Sequence, residues 1–202
     1  MRTVIVNNIL SLDGFIASAD GNPLVLQMDA AFDQANLQSI SLADIVLLGR
    51  DSFDGFSGYW PFICDAPEPA DPAAPEARMV DATNRAISRA YNAHPKVVVS
   101  DRGPIPVENA WFASTTRISR ADAAGWLRDA RDGGDGSILV FASHVLWNSL
   151  LADGLVDELH LMISPNVLGT GVPAFTVPAE LDLLETRAFD GSSNLQLRYR
   201  VR

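Results

Sequence analysis

Apolar positions along the chain fall into short blocks of two alternating kinds. Thr3 to Leu10 is β-branched and apolar almost throughout. Asp44 to Leu48, Pro95-Lys96-Val97-Val98-Val99-Ser100 and Ser137 to Phe141 repeat that texture, which predicts short strands buried on both faces. Between them, Met28, Ala31, Phe32, Ala35 and Ile40 recur at helical spacing and predict an amphipathic helix over 28–40. Further helices are expected over 51–56, 77–93, 119–130 and 145–151. Ser119, with Asp122 three positions on, resembles a capping box, and Ser143 is placed to cap the helix over 145–151. Trp111 to Ser114 is a candidate short strand and Val156 to Ser164 a longer one. Leu183 to Phe189 and Asn194 to Val201 flank Asp190-Gly191-Ser192-Ser193 and predict a hairpin whose last strand has one wet face. Strands alternating with helices, then an antiparallel hairpin, predict an α/β fold around a mixed sheet. No 20–50-residue repeat interrupts this order, so residues 1–202 are expected to form one domain. Ala66 to Pro75, with four prolines, reads as a solvated, semi-extended insertion.

Composition narrows the function classes. The chain is 48% hydrophobic and 20% charged, ordinary for a globular domain. Its net charge is −10, from 25 acids against 15 bases, and Lys96 is the one lysine. Without a basic stripe interleaved with aromatics, nucleic acid is not expected as a partner. An acidic chain also repels free phosphate at long range, so any phosphate ligand requires local arginines. No apolar run is long enough to cross a bilayer, and the N-terminus lacks a secretory signal. A cytoplasmic protein without a membrane partner is therefore expected. Cys64 is alone, which excludes a disulfide framework and a cysteine zinc site within the chain.

The candidate chemistry sits where strands end. Val46-Leu47-Leu48 runs into Gly49-Arg50-Asp51-Ser52-Phe53, a strand feeding a helix start through glycine with an arginine alongside. Free backbone N–H groups, the positive end of a helix dipole and a guanidinium together suit a phosphate. Ser100-Asp101-Arg102 ends a second strand with an arginine, and Ala142-Ser143-His144-Val145 forms a third strand-to-helix turn. Asp13, after the first strand and before Gly14, lies where open α/β sheets place ligands. The loop Gly55-Phe56-Ser57-Gly58-Tyr59-Trp60-Pro61 offers rings to cover a planar substrate.

Other chemistries lack their residues. A zinc deaminase site needs a Cys-x-x-Cys pair, and a serine hydrolase a Gly-x-Ser-x-Gly elbow; neither occurs. No Walker lysine loop is present. The glycines at 133, 134 and 136 precede a strand instead of following one, so they form no dinucleotide fingerprint. His94, His144 and His160 are scattered and fit structural roles better than metal ligation, so no metal is expected.

Five stretches in order resemble the reductase domain of the bifunctional riboflavin-biosynthesis deaminase-reductase (RibD C-terminal-like). They are Ser11-Leu12-Asp13-Gly14, Leu47 to Phe53 with Tyr59-Trp60-Pro61, Pro95 to Ser100, Gly154-Leu155-Val156-Asp157-Glu158-Leu159, and Leu168-Gly169-Thr170-Gly171-Val172-Pro173-Ala174-Phe175. The resemblance spans the chain except for Ala66 to Pro75. It implies a dihydrofolate reductase-like three-layer α/β/α fold with a mixed, mostly parallel sheet, and NADPH as cofactor. Gly49, Arg50, Asp51 and Ser52 would meet the cofactor phosphates; Ser100, Asp101 and Arg102 the adenosine end with its 2′-phosphate. Ala142, Ser143, His144 and Val145 would line the pyrophosphate, and Ala17 would also touch the cofactor. Trp60, Gly169 and Phe175 would contact a small-molecule substrate, Asp13 would supply or position the proton, and a homodimer is implied. In two places the chain departs from the family pattern. Alanine stands at Ala142 where relatives usually carry glycine. Phe15-Ile16-Ala17 is apolar where the riboflavin enzymes carry basic and polar residues for a ribose-phosphate. With no deaminase segment alongside, a stand-alone reductase of a C=N or C=O group is expected. The alternatives are a 5-amino-6-(5-phosphoribosylamino)uracil reductase, a dihydrofolate reductase, and a non-catalytic NADP(H)-binding protein.

Overall fold

A computed structural model describes residues 1–71 and 73–202; Pro72, within the proline-rich segment, lies outside the described residues. Eight strands form one sheet in the order β5-β4-β3-β6-β1-β7-β10-β9. In chain order they are β1 (Thr3–Ser11), β3 (Ile45–Gly49), β4 (Lys96–Val99), β5 (Thr115–Ile118), β6 (Ser137–Phe141), β7 (Glu158–Ser164), β9 (Leu181–Ala188) and β10 (Leu195–Val201). β10 alone runs against its neighbours, pairing antiparallel with β7 and β9, and the other pairs are parallel. The mixed, mostly parallel sheet with a closing hairpin is thus the fold.

Strand periodicity sorts the apolar residues into two layers. Val4, Val6, Leu47, Val97, Val99, Ile138 and Val140 face one side, against Leu127 of α5 (Ala123–Asp132) and Trp147 and Leu150 of α6 (His144–Ala152). Val46, Leu48, Val98, Leu139 and Phe141 face the other. There they meet Ile40 of α1 (Ala30–Ser41), Phe53 of α2 (Arg50–Ser57), and Ile87 and Tyr91 of α4 (Ala82–Ala93). Alternate residues of β3, β4 and β6 therefore serve opposite cores, so these strands read as unbroken apolar runs. Each such side chain contributes roughly 1.5–3 kcal/mol of burial.

Local departures from the expected elements have identifiable causes. Trp111 is buried beside Lys96, whose ammonium lies 4.5 Å from the ring centre, and a 3-10 turn (Phe112–Ser114) delays the edge strand to Thr115. Burial holds the Lys96 pKa down to about 8. Ser119 and Asp122 do bond reciprocally, but the turn they close precedes the helix, which begins at Ala123. A second, two-stranded sheet pairs β2 (Phe15–Ala17) with β8 (Val172–Pro173). Gly171 permits that pairing, because a Cβ there would stand 2.3 Å from the Ala17 carbonyl oxygen. A short helix, α3 (Trp60–Ile63), completes the aromatic loop. Among the described residues no helix is long and apolar enough to cross a membrane.

The described residues of the proline-rich segment are largely exposed, and the chain that follows it is fastened to the body of the fold. Residues 75–80 form a 3-10 helix, and α4 starts at Ala82 with Asp81 as its cap. Arg78 bonds Asp33 of α1 and the Met28 carbonyl, while Asn84 donates to the same Asp33 carboxylate at 3.0 Å. Arg85 gathers the carbonyls of Cys64, Ala66 and Val80. Burial raises the Asp33 pKa, and Asn84 and Arg78 oppose the rise. A carboxyl whose folded pKa is raised adds stability below its unfolded value and loses it as pH climbs through the folded one. Arg78→Ala leaves that charge buried without its cation, so unfolding in urea at neutral pH should show a loss of about 2 kcal/mol. The deficit should shrink as Asp33 protonates toward pH 4, the lower end of its titration window; a deficit independent of pH would refute the assignment.

Candidate active site

Strands β3, β4 and β6 end together, and their carboxyl ends open into two adjoining clefts, where ligands bind in open α/β sheets. The first cleft, of about 610 Å³, is lined by Gly49 to Ser52, Ser100 to Arg102, Arg120 and the start of α6 from Ser143 to Leu146. All three turns expected from the sequence converge here.

Two of those turns are bonded to each other. The Gly49 N–H donates to Ser143 Oγ at 2.9 Å, and the Ser143 N–H donates to Ser52 Oγ at 3.0 Å. Ser143 occupies the N-cap position, but its backbone is left-handed (φ 52°) and its hydroxyl makes no capping bond to α6. Its side chain serves the neighbouring turn instead. The first-turn N–H groups of α6, at His144, Val145 and Leu146, consequently point toward the cleft with no helical acceptor. Ala142 is left-handed as well (φ 48°), which explains why glycine suits this position.

Every arginine at this cleft has an acid beside it. Arg50 Nε bonds Asp54 at 2.8 Å and its Nη1 donates to the Gly103 carbonyl; Arg102 pairs with Asp51, and Arg120 lies 3.7 Å from Asp101. Arg50 is therefore committed to holding the 103 loop, whereas Arg102 is more than half exposed and Arg120 more so. The Ser100 hydroxyl accepts the Arg102 N–H at 3.0 Å and shapes that turn. Arg120 was not among the residues expected from the sequence, although it follows β5 as Arg50 and Arg102 follow β3 and β4.

The second cleft, of about 770 Å³, lies on the other side of the β6–α6 turn and shares Ser52, Ser143 and His144 with the first. Phe56, Tyr59, Trp60, Tyr91 and Phe141 form an aromatic wall, with Ala17, Ile16, Met28 and Met79 opposite. Trp60, expected at the substrate, and Ala17, expected at the cofactor, both line this second cleft and not the first. His144 Nε2 is buried without a partner among the described residues, at the residue where the clefts meet.

Asp13 does not enter either cleft. Its carboxylate accepts from Ser11 Oγ at 2.6 Å, from the Gly169 N–H at 2.7 Å and from the Leu168 N–H at 3.1 Å. Those bonds, the Ser11 one foremost, hold its pKa below the ordinary carboxylate value, the opposite of what a proton donor needs. Asp13 pins the 168–169 turn, where Gly169 has φ 68°. Gly169 is thereby occupied away from the clefts, and Phe175 rests edge-on against Trp147 at 5.4 Å. None of the three is among the residues that line the two clefts. Among the described residues no cluster of His, Cys, Asp and Glu could hold a metal.

Removing the Cβ at the strained turn gives a direct check. Ala142→Gly trades about 1–2 kcal/mol of left-handed strain against the larger chain entropy of glycine, so a net gain of roughly 0.5–1 kcal/mol is expected in thermal unfolding. A lower Tm would mean that the turn is relaxed as it stands.

Solved structures with the same fold are numerous. A candidate riboflavin biosynthesis protein of Shewanella sp. PV-4 superposes with a TM-score of 0.64 at 20% identity, covering 100% of this chain and 99% of that one. The Thermotoga maritima diaminohydroxyphosphoribosylaminopyrimidine deaminase/5-amino-6-(5-phosphoribosylamino)uracil reductase gives 0.65 at 16% identity, and this chain spans 57% of it. Enterococcus faecalis dihydrofolate reductase, solved with NADP(H), gives 0.58 at 12% identity over 98% of this chain and 96% of its own. These likenesses show the dihydrofolate reductase-like fold. No curated protein matches at the level of sequence. The family of RibD C-terminal domains, in contrast, matches residues 2–193, nearly the whole length. The chain belongs to the RibD C-terminal domain family.

Proposed function

We propose that the protein is an NADPH-dependent reductase that delivers a hydride to a C=N or C=O carbon of a small planar substrate. The observation carrying this reading is the junction of a phosphate-suited cleft with an apolar one at Ser52, Ser143 and His144. Family membership supports the reductase class. The donor set suits the cofactor: unpaired N–H groups at the start of α6, exposed Arg102 and Arg120, and an unpartnered His144 Nε2. NADPH, when bound, supplies the hydride, and the protein supplies binding, orientation and exclusion of water. The α6 start and the Gly49–Ser52 turn would hold the pyrophosphate, and Arg102 with Arg120 the 2′-phosphate, for which an always-charged planar fork is well matched. The aromatic wall would hold the acceptor against the shared rim. Among the described residues no carboxylate lines the second cleft, so the proton is assigned to water entering at its mouth.

A reaction in riboflavin biosynthesis, reduction of 5-amino-6-(5-phosphoribosylamino)uracil, is the second reading, favoured by the Thermotoga relative. Titration of NADPH and NADH by fluorescence, followed by NADPH consumption with imine and carbonyl acceptors, tests the scheme. Arg102→Ala combined with Arg120→Ala should weaken NADPH by about tenfold or more while leaving NADH nearly unchanged. Equal losses for both would overturn the 2′-phosphate assignment. Tight NADPH binding with no acceptor reduced would leave a non-catalytic binder.

A further inference from the structure

We propose that the second cleft takes an uncharged substrate with a hydrocarbon body, and that Leu24 and Met79 at its rim are the specificity-determining residues, selecting an apolar substituent over a charged tail. This rests on the reductase reading for the fate of the ligand, but not for what the cleft admits. The carbonyl or imine carbon would take the hydride of one NADPH and its heteroatom a proton from water, leaving an alcohol or amine and NADP⁺.

Among the described residues no Lys, Arg, Asp or Glu lines this cleft. His144, the one lining side chain able to become a cation, stands where the first cleft begins. Arg78, next in the chain to the lining residue Met79, is committed to Asp33 and the Met28 carbonyl. The charge felt at the wall is acidic on balance: burial first, and then Asp33 and Asp81 against Arg78, raise the pKa of the Tyr59 phenol. A phosphate or carboxylate brought here would lose its water without gaining a cation.

Polar side chains do line the cleft, but their hydrogen-bonding groups are turned into the protein. Asn7 Nδ2 donates to Asn36 Oδ1 at 2.9 Å, and Asn84 Nδ2 donates to Asp33 at 3.0 Å. Asn8 Oδ1 accepts the Ile9 N–H and Asn22 Oδ1 the Leu24 N–H, each at 2.9 Å. The hydroxyls of Ser52 and Ser143 are taken up by the clamp between their turns. What the walls present is therefore carbon, from Phe56, Trp60 and Phe141 on one side and Ile16 and Met28 on the other.

The rim continues the pattern. Leu24, on the 3-10 turn Pro23–Val25 between β2 and α1, is 76% exposed, and Met79, on the 3-10 helix before α4, is 40% exposed; both line the cleft. Apolar side chains of that size standing in water at a cleft mouth gain by covering the apolar part of a ligand. A substituent that reaches the rim meets hydrocarbon, and a phosphoribosyl tail would find nothing there to hold its phosphate.

The test uses the full chain, with benzylacetone as the neutral probe. Its para-carboxylate and the phosphate ester of its para-hydroxy derivative are the charged matches, and acetone is the ketone without a body. Calorimetric titration with and without saturating NADP⁺ gives the affinity of benzylacetone. The charged analogues are scored by their displacement of it, so binding in the first cleft does not count. Benzylacetone should bind about tenfold or more tightly than acetone or either charged analogue. Leu24→Lys and Met79→Lys, each at an exposed side chain, should improve the phosphate ester about fivefold relative to benzylacetone, with Tm and NADPH affinity unchanged. A rim of merely structural importance would leave that ranking as it was. The proposal is overturned if either charged analogue binds as tightly as benzylacetone, if both lysine variants keep the parent's ranking, or if benzylacetone fails to bind at millimolar concentration. Benzylacetone binding without any NADPH binding would sink the reductase reading alone, because the cofactor-free titrations still decide this one.

Discussion

The geometry of both clefts depends on one exchange of hydrogen bonds, in which the Gly49 N–H reaches Ser143 Oγ and the Ser143 N–H reaches Ser52 Oγ. β3 and β6 are neighbours in the sheet, so their two exits must diverge into helices on opposite faces while staying in contact. Each exit leaves a backbone N–H that neither strand nor helix can satisfy, and each is answered by a serine of the other. Clamping the turns fixes where α2 and α6 begin, and with them the groups that both clefts share. The left-handed pair Ala142–Ser143 is the geometric condition for it, since it turns the Ser143 side chain away from its own helix.

From that clamp the two layers take different tasks. The α5–α6 layer presents helix ends and arginines to the first cleft, a polar lining suited to a long, charged ligand. The α1–α4 layer presents rings and amides to the second. The segment leading into α4, fastened by Arg78 and Arg85, brings Met79 to the rim of that cleft.

Much of this was legible in the chain. Runs such as Leu47-Leu48 and Val97-Val98-Val99 could belong only to a doubly covered sheet, and glycine or serine beside arginine marked the strand exits. Roles decided by a third dimension were not legible. Asp13 has the residue type and position of a catalytic acid, but two of its three partners lie more than 150 residues on, at Leu168 and Gly169. Ser143 read as a cap from its place before a helix, and only its φ shows that the hydroxyl works elsewhere. The pairing of β2 with β8 escaped notice because Phe15–Ala17 and Val172–Pro173 are too short for any period to register.

The pairing of Arg50, Arg102 and Arg120 with Asp54, Asp51 and Asp101 has a consequence for how a ligand arrives. Each guanidinium brings its own counter-ion, so the first cleft casts little field beyond its mouth, and the −10 charge of the chain dominates at a distance. An anion gains its attraction only on contact, by displacing or sharing an aspartate. Binding then exchanges one ion pair for another, with few small ions released into solution. Association should be slow for so basic-looking a cleft, should quicken as salt screens the repulsion, and stray polyanions should be largely ignored.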